Sequence, residues 1–270
     1  MSNFDSAACA ALLEEMTAIS IAAAEAIRGS LADRGVRLKA DGSPVTAADE
    51  AAEAVIRDGL ARLGLPLPVI SEESADLAGA SIAAPSFILV DPLDGTREFI
   101  AGRDEYAINI GLVADGAPAA GVITAPALGR IWRGIVGRGA ERLQFSAGRT
   151  SPPERIRTRP RPGTDLLLMV SRSHLDARTE AYLTRWPGAR RVASGSAIKF
   201  CRVAEGGADL YPRLGPTHDW DVAAGHAIVV AAGGSVVGPT GTPLAYGTAG
   251  LKIPAFLACG DPTDVSTEAA

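Results

Sequence analysis

Residues 87–96 of the chain read FILVDPLDGT, and this stretch decides the fold. Phe87 to Val90 is an uninterrupted apolar run, which predicts a strand buried on both faces within a sheet. Pro92 is predicted to stop that strand, because proline cannot donate to a ladder. We therefore expect Asp91 at the carboxyl end of the strand and Asp94-Gly95-Thr96 at the turn into a helix.

Two helices and a short strand are predicted before this segment. Apolar residues recur at three- and four-residue steps from about Ser6 to Asp33, which predicts an amphipathic helix that ends near Gly35. Thr46 and Asp49 have the spacing of a capping box, in which the aspartate side chain returns to the threonine amide and starts a second helix. Val69-Ile70 then predicts a short buried strand that leads into an acidic turn.

The rest of the chain divides into an antiparallel half and an alternating half. Residues 106–132 carry apolar runs around an Asp115-Gly116 turn, which predicts a meander. Residues 148–163 are rich in Pro and Arg and predict an exposed connector whose charges are solvated. Strand and helix patterns alternate after it, which favours an α/β layer packing. The predicted units are an α+β half over 1–147 and an α/β half over 164–270.

Composition excludes several classes of protein. The 270 residues are 47% hydrophobic and 21% charged, which excludes disorder, collagen and disulfide scaffolds. The formal net charge is −5, so we expect no broad cationic surface and no nucleic-acid partner. Cys9, Cys201 and Cys259 are too far apart for a disulfide frame or a thiolate metal site. This cysteine usage favours a reducing cytoplasm.

No membrane span is predicted. The first thirty residues carry acidic side chains where a signal peptide would place Lys or Arg. The longest apolar stretch, Val222 to Val237, is broken by His226 and by Gly233-Gly234. It falls short of the roughly 20 apolar residues that a spanning helix needs.

Four acidic residues stand at predicted strand ends or helix starts: Glu72, Asp91, Asp94 and Asp221. Hard oxygen ligands of this kind select Mg²⁺, Mn²⁺ or Ca²⁺, and the absence of His or Cys pairs argues against zinc. Two carboxylates about 4 Å apart repel by roughly 4 kcal/mol at an effective dielectric constant near 20, so a cluster must be protonated or hold a cation. The backbone amides of Gly95 and Thr96 would offer a phosphate seat at the helix start. Together these features favour metal-assisted hydrolysis of a phosphate ester.

Each of these residues also has a purely structural interpretation. On spacing alone, Asp49 is better explained as a helix cap than as a catalytic group. Glu72 could solubilise a loop, and residues 91–95 could form a plain turn, since Pro, Asp and Gly all favour turns. Asp221 could be an acidic residue favoured by the positive end of a helix.

Three motifs occur in order: Glu72-Glu73-Ser74, Asp91-Pro92-Leu93-Asp94-Gly95-Thr96, and Trp220-Asp221 before an alanine- and glycine-rich helix. Through them the sequence resembles the inositol monophosphatase superfamily of Mg²⁺-dependent, lithium-sensitive phosphatases. Its second half is similar to the CysQ type, the 3′(2′),5′-bisphosphate nucleotidases. The segments that carry this likeness are 171–174, 195–196, 199–201, 203–206, 211–213, 215–217 and 223–226. The similarity covers nearly the whole chain and is weakest in the first forty residues and in 148–163.

The resemblance implies a fold and a metal centre. The fold would be a layered α-β-α-β-α sandwich of the inositol monophosphatase and fructose-1,6-bisphosphatase type, with an antiparallel sheet in the first, metal-binding half and a mixed sheet in the second, substrate-binding half. Glu72, Asp91 and the backbone carbonyl of Leu93 would hold one Mg²⁺. Asp91, Asp94 and Asp221 would hold a second, with Asp91 bridging the two. A third ion during turnover is left open.

The resemblance also implies a reaction. Thr96 and Asp49 would form a hydrogen-bonded pair that orients and deprotonates the attacking water, which reverses the preference for capping alone, and Glu72 would assist. The amides of Gly95 and Thr96 would take the scissile phosphate. The reaction would convert adenosine 3′,5′-bisphosphate to AMP and phosphate, which clears a by-product of sulfate assimilation.

Substrate contacts follow from the same resemblance. The implied set is Glu72, Leu93, Asp94, Gly95, Thr96, His174, Ser196, Lys199, Arg213 and Asp221. A second phosphate requires a further cation, for which Lys199, Arg172 and Arg213 are the candidates. Ala197 stands where many CysQ-type chains have a second Ser, which puts substrate affinity in question. A homodimer and a peripheral position on the cytoplasmic side of the inner membrane are left open.

Three alternatives remain. An inositol or histidinol monophosphatase would share every metal residue, although the second-half motifs argue against it. A covalent aspartyl-phosphate route prefers Asp-x-Asp, whereas two residues separate Asp91 from Asp94. A nucleotide-binding regulator without catalysis is disfavoured, because every acidic residue of the family pattern is present.

Overall fold

In the computed structural model, which describes residues 6–31, 35–39, 42–75 and 81–262, helices alternate with two large sheets. The helices are α1 (Ser6–Gly29), α2 (Ala47–Arg62), α3 (Thr96–Ile100), α4 (Ala177–Leu183), α5 (Ile198–Ala204) and α6 (Asp219–Ala231). The strands are β1 (Val36–Leu38), β2 (Pro44–Thr46), β3 (Val69–Ser71), β4 (Phe87–Asp94), β5 (Ala107–Ala114), β6 (Ala117–Ala125), β7 (Arg130–Ile135), β8 (Gly139–Ser146), β9 (Arg149–Thr150), β10 (Glu154–Ile156), β11 (Leu167–Ser171), β12 (Arg190–Ser194), β13 (Leu210–Arg213), β14 (Thr217–His218), β15 (Ser235–Val237), β16 (Lys252–Ile253) and β17 (Phe256–Cys259).

The two large sheets differ in strand direction. The first has the order β10-β8-β7-β6-β5-β4-β3, with β9 paired to β8, and is antiparallel apart from the β3–β4 edge pair. The second has the order β12-β11-β13-β17-β15 and is mixed, because β11 runs parallel to β12 and β13 while β17 runs antiparallel to its neighbours. Two small ladders, β1–β2 and β14–β16, complete the pairing among the described residues.

Strand β4 shows how the sequence builds the layers. Successive side chains of a strand point to opposite faces. Phe87 and Leu89 pack toward α5, α6 and the second sheet, whereas Ile88 and Val90 pack toward α1 and α2. The far face of the second sheet is covered by α4. The result is the α-β-α-β-α sandwich that the family resemblance implies.

A row of glycines brings α6 against the first sheet. Gly111, Gly121 and Gly134 stand side by side on β5, β6 and β7. A Cβ atom at Gly121 would lie 2.4 Å from the backbone oxygen of Ala224 and 2.8 Å from its Cα. The backbone of α6 therefore occupies the space that side chains would need. This contact fixes the helix whose first turn carries Asp221.

Two predictions about strands are wrong. Strand β4 does not stop at Pro92 but continues to Asp94, and its register with β5 shifts between Asp91 and Asp94. Such an irregularity lets a residue without an N–H remain in the strand. Val69 is exposed rather than buried, because β3 lies at the edge of the sheet and only Ser71 is fully covered.

The first helix also differs from its prediction. It ends at Gly29, a weak helix former, and Ser30 and Leu31 form a turn, while Asp33 lies outside the described residues. Residues 7–29 are long and apolar enough to cross a membrane, which the sequence analysis did not expect. Half of this stretch is buried, and α1 packs against α2 and β6, as the core helix of a globular domain does.

The predicted connector over 148–163 contains structure. It includes β9 and β10, and β10 pairs with β8 so that Ile156 is buried. Its charges are not all solvated, because the Arg159 guanidinium makes two hydrogen bonds of 2.7 Å to the buried Asp209 carboxylate. The division of the chain at 147 and 164 stays a prediction.

We expect Gly121→Ala to destabilise the protein by about 2–3 kcal/mol, because the added methyl group meets the α6 backbone rather than a flexible side chain. Gly188→Ala is the matched control, since no atom lies within 4 Å of the position that its Cβ would take. Urea unfolding followed by tryptophan fluorescence measures both. Equal stabilities of the two variants would contradict the proposed close packing of α6.

Candidate active site

Three carboxylates from distant parts of the chain meet at one end of the first sheet. Glu72 follows β3, Asp91 lies in β4 and Asp221 lies in the first turn of α6, and one oxygen from each lies within 4.8 Å of the others. The parallel pairing of β3 with β4 places Glu72 beside Asp91, and the Glu72 amide donates to the Val90 carbonyl at 3.1 Å. The tightly packed α6 then brings Asp221 to the same place.

Hydrogen bonds orient these carboxylates and that of Asp94. Asp91 Oδ1 accepts from the Leu93 amide at 3.0 Å, and Asp221 Oδ2 accepts from the His218 amide at 3.1 Å and from the Thr217 hydroxyl. Asp94 Oδ2 accepts from Asn109 Nδ2 at 3.2 Å and from the Ala197 amide at 2.5 Å. Among the described residues, these bonds use one oxygen of each aspartate and leave the other for a ligand.

The electrostatics of the cluster call for a cation. Burial, then repulsion by Glu72, Asp94 and Asp221, raises the pKa of Asp91 well above its usual range. Burial and the nearby Asp221 raise the pKa of Glu72 to about 7 and that of Asp94 to about 6. The donors are all carboxylate oxygen atoms, and Leu93 lines the cavity beside them. This donor set fits a hard divalent ion such as Mg²⁺.

One cation of the chain already touches the cluster. Lys39 Nζ lies 2.9 Å from Glu72 Oε1 and 2.6 Å from Glu73 Oε1. Although burial opposes it, attraction by Glu72 and Glu73 raises the pKa of Lys39, so the ammonium stays charged. Sequence reasoning missed Lys39, because it stands more than thirty residues before Glu72 and no local motif marks it.

Asp49 serves as both a helix cap and a partner of Thr96. Its Oδ2 accepts from the Thr46 amide at 2.8 Å and from the Thr46 hydroxyl at 2.6 Å, which forms the predicted capping box. Its Oδ1 accepts from the Thr96 hydroxyl at 3.1 Å. Asp49 is buried, and burial raises its pKa despite these hydrogen bonds. Asp49 therefore caps α2 and pairs with Thr96 at the same time, and the two predicted roles do not exclude each other.

The turn after Asp94 depends on Gly95. This residue has a φ of 95°, a conformation that disfavours side chains, and it precedes α3, a helix of five residues. The turn places the Thr96 hydroxyl beside Asp49 and the Leu93 carbonyl. The predicted strand, turn and helix are present, although so short a helix contributes little dipole of its own.

These groups line a cavity of about 330 Å³ between the two sheets. Its wall includes every predicted metal ligand and substrate contact: Glu72, Asp91, Leu93, Asp94, Gly95, Thr96, His174, Ser196, Lys199, Arg213 and Asp221. Asp49 lies behind Thr96 rather than on the wall. Arg97, Glu98 and Lys252 also line the cavity, and sequence reasoning missed them.

The three predicted phosphate-binding cations differ in their surroundings. Lys199 is buried, and its ammonium donates to the carbonyls of Ser194 at 3.2 Å and Ser196 at 2.5 Å. Arg172 lies outside this cavity, because two hydrogen bonds of 2.7 Å bind it to the Glu105 carboxylate. The prediction that Arg172 faces the site is therefore wrong. Arg213 stays on the cavity wall.

Comparisons with known proteins agree with this geometry. The family model described as the inositol monophosphatase family matches residues 2–262. The 3′(2′),5′-bisphosphate nucleotidase CysQ of Escherichia coli (strain K12) is 43% identical, over 77% of this chain and 81% of that protein. The histidinol-phosphatase of Mycobacterium tuberculosis is 33% identical, over 80% of this chain and 84% of that protein. The crystal structure of CysQ from Bacteroides thetaiotaomicron aligns with a TM-score of 0.79 and 34% identity, over 92% of this chain and 96% of that chain.

We expect the metal-free protein to lose stability as the pH rises through the window set by the raised pKa values. The carboxyl groups of Asp94 and Glu72 have ordinary pKa values of 3.8 and 4.5, which the fold raises to about 6 and about 7. The folded state therefore binds more protons in this window, and the free energy of unfolding falls with rising pH.

Asp91→Asn tests this assignment. It removes the carboxylate that both neighbours repel, so in a chelating buffer the variant should lose less stability with rising pH than the wild type and should be at least as stable near pH 7. Urea unfolding at a series of pH values measures the difference, and added Mg²⁺ should flatten the wild-type curve. Parallel curves for the two proteins in chelator would show that the cluster is not the cause.

Proposed function

The chain belongs to the inositol monophosphatase family, and on that premise we propose that it is a phosphatase that removes the 3′-phosphate of adenosine 3′,5′-bisphosphate. The convergence of Glu72, Asp91 and Asp221 within 4.8 Å, on the wall of a cavity that also carries cations, is the observation that supports this proposal most directly. The bisphosphate nucleotidase named above is more similar to the chain than the histidinol-phosphatase, at 43% against 33% identity. This difference favours a nucleotide over the alternative monophosphates.

The donor set supports a proposal of two Mg²⁺ ions. Glu72, Asp91 and the Leu93 carbonyl would hold one ion, and Asp91, Asp94 and Asp221 would hold the other. When bound, such ions lower the pKa of a water molecule and neutralise charge on the transferring phosphoryl group. The raised pKa values of these carboxyl groups support the need for positive charge at this place.

Thr96 and Asp49 are proposed to handle the proton of the attacking water. The Thr96 hydroxyl donates to Asp49 Oδ1, and because Thr96 also lines the cavity, its oxygen can accept a hydrogen bond from water. A proton then moves from the water to the Thr96 oxygen while the Thr96 proton moves to Asp49. Burial raises the pKa of Asp49 and makes its carboxylate a better base.

The other end of the cavity is proposed to hold the nucleoside. His174, Ser196 and Arg213 line it on segments of the second half of the chain. Lys199 holds Ser196 in place, because its ammonium donates a hydrogen bond to the Ser196 carbonyl. A cavity of about 330 Å³ is within the range of small-molecule sites, which begins at roughly 300 Å³.

The proposed surroundings are the cytoplasm, with a phosphorylated nucleoside as the partner. All three cysteines are buried thiols rather than members of disulfides, as a reducing compartment favours. A homodimer and a peripheral membrane position stay predictions.

We expect Thr96→Val to lower kcat by roughly 10²–10⁴-fold, because it removes the hydroxyl that links water to Asp49 while it keeps the shape of the side chain. KM should change less than kcat, because the other substrate contacts on the cavity wall are untouched. Thr96→Ser, which keeps the hydroxyl, is the matched control. If the Thr96→Val and Thr96→Ser variants had the same steady-state kcat, the proposed proton path would be excluded.

A panel of phosphate esters tests the activity itself. Phosphate release in Mg²⁺ should be at least roughly tenfold faster, as kcat/KM, from adenosine 3′,5′-bisphosphate than from inositol 1-phosphate or histidinol phosphate. Li⁺ at millimolar concentration should inhibit, and Asp91→Asn should be inactive. A preference for either monophosphate would support the runner-up function, and no release from any ester would favour a regulator without catalysis.

A further inference from the structure

The cavity wall carries both acidic and cationic side chains. The acidic cluster of Glu72, Asp91, Asp94 and Asp221 is proposed to meet the scissile phosphate through metal ions. A bisphosphate carries a second phosphate that the acidic cluster repels and that requires positive charge elsewhere. The cations on the cavity wall are Arg97, Lys199, Arg213 and Lys252.

Lys199 has little capacity left for a ligand. An ammonium group offers three hydrogens, and two of them are directed to the carbonyls of Ser194 and Ser196. Its Nζ also lies 5.1 Å from the centre of the Tyr211 ring. Only 2% of the Lys199 surface is exposed. Lys199 therefore stabilises the cavity wall and has at most one hydrogen left for an anion.

Arg97, by contrast, is exposed and carries no charge partner in the described parts of the chain. It directly follows Thr96, and the next residue, Glu98, turns inward and accepts a hydrogen bond of 2.5 Å from the Ser173 hydroxyl. Within residues 6–31, 35–39, 42–75 and 81–262, no side-chain hydrogen bond or ion pair engages the Arg97 guanidinium. Its five donors are therefore available to a ligand in the cavity.

Arg213 faces the same place from the second sheet. Its side chain comes from the end of β13, makes a long hydrogen bond, 3.5 Å, to the Pro216 carbonyl and also hydrogen-bonds the Tyr211 side chain. The electrostatics of His174 involve both arginines. Burial, then the positive charges of Arg213 and Arg97, lower the pKa of its imidazole. Two guanidinium groups from different halves of the chain thus act on a single side chain of the cavity wall.

We propose that Arg97 determines specificity for a bisphosphate, because together with Arg213 it binds the phosphate that is not hydrolysed. This inference rests on the proposed function. A guanidinium can grip a phosphate with two parallel hydrogen bonds, which gives geometric selectivity as well as attraction. Since Arg97 and Thr96 are neighbours at the start of α3, one short segment would position both the attacking water and the far end of the substrate.

Lys252 is the competing cation. It pairs with His218 across the β14–β16 ladder and is exposed at the cavity. Its ammonium is a point charge, whereas the planar guanidinium of Arg97 can give a phosphate two parallel hydrogen bonds, and this chemistry favours Arg97 over Lys252 as the partner of Arg213.

The test compares two substrates with the same scissile 3′-phosphate ester bond, adenosine 3′,5′-bisphosphate and adenosine 3′-monophosphate. Arg97→Met should lower kcat/KM for the bisphosphate by about tenfold, which is the usual effect of losing a charged hydrogen bond. The kcat/KM for the monophosphate should stay within about twofold of the wild-type value. The matched control is Arg103→Met, which removes the same charge from an exposed residue that lines a different groove. That control should change neither value.

Ionic strength gives a second readout. An exposed arginine loses its attraction as salt screens it, so the wild-type preference for the bisphosphate should shrink between about 0.05 and 0.5 M KCl. The Arg97→Met variant should show a weaker dependence. An equal salt dependence of the preference in both proteins would overturn the assignment.

The outcomes separate this inference from the function it rests on. A wild-type enzyme that prefers the bisphosphate, with the preference unchanged in Arg97→Met, would overturn the inference and leave the proposed function standing. A preference lost in Lys252→Met but kept in Arg97→Met would assign the second phosphate to the other cation and also overturn it. A wild-type enzyme that does not prefer the bisphosphate would overturn both.

Discussion

Repulsion among buried carboxylates is the constraint on which the structure depends. Glu72, Asp91 and Asp221 come from three elements and meet within 4.8 Å, where Asp91 is buried and the other two are partly exposed. Isolated charges in such a place are unfavourable, and Lys39 compensates for only part of the cluster. The fold therefore keeps a site that is stable only with protons or with added positive charge. A protein under selection for stability alone would have no use for this arrangement.

The close approach of α6 makes that arrangement possible. Glycines on three adjacent strands remove the side chains that would hold the helix away from the first sheet, and Gly225 on its other side lies against the Phe200 ring. The helix is thus held between both sheets, with Asp221 in its first turn. A loosely packed helix would let the carboxylates move apart and relieve their repulsion. Tight packing far from the chemistry therefore determines the distance between acidic groups.

Local patterns predicted the parts of the site that lie within one segment. The apolar run of β4, the Asp94-Gly95-Thr96 turn and the capping box at Asp49 all follow from short-range rules. Contacts between segments were beyond those rules. Nothing near Lys39 indicates Glu72, nothing near Arg172 indicates that Glu105 holds it, and the pairing of β10 with β8 turned a predicted connector into part of a sheet. The family resemblance supplied the convergence of distant acidic residues, which spacing alone left open.

The presence of both acidic and cationic side chains on one cavity wall also bears on how a substrate is oriented. Both phosphates of a bisphosphate are anionic, so without metal the acidic cluster repels either one, and only the cationic wall attracts the molecule. Once positive charge enters the cluster, the cluster and the arginines can each attract one phosphate. The ribose between them then fixes which phosphate can reach Thr96. Metal binding would thus act on orientation as well as on chemistry, because it converts a repulsive surface of the cavity into the stronger of two anchors.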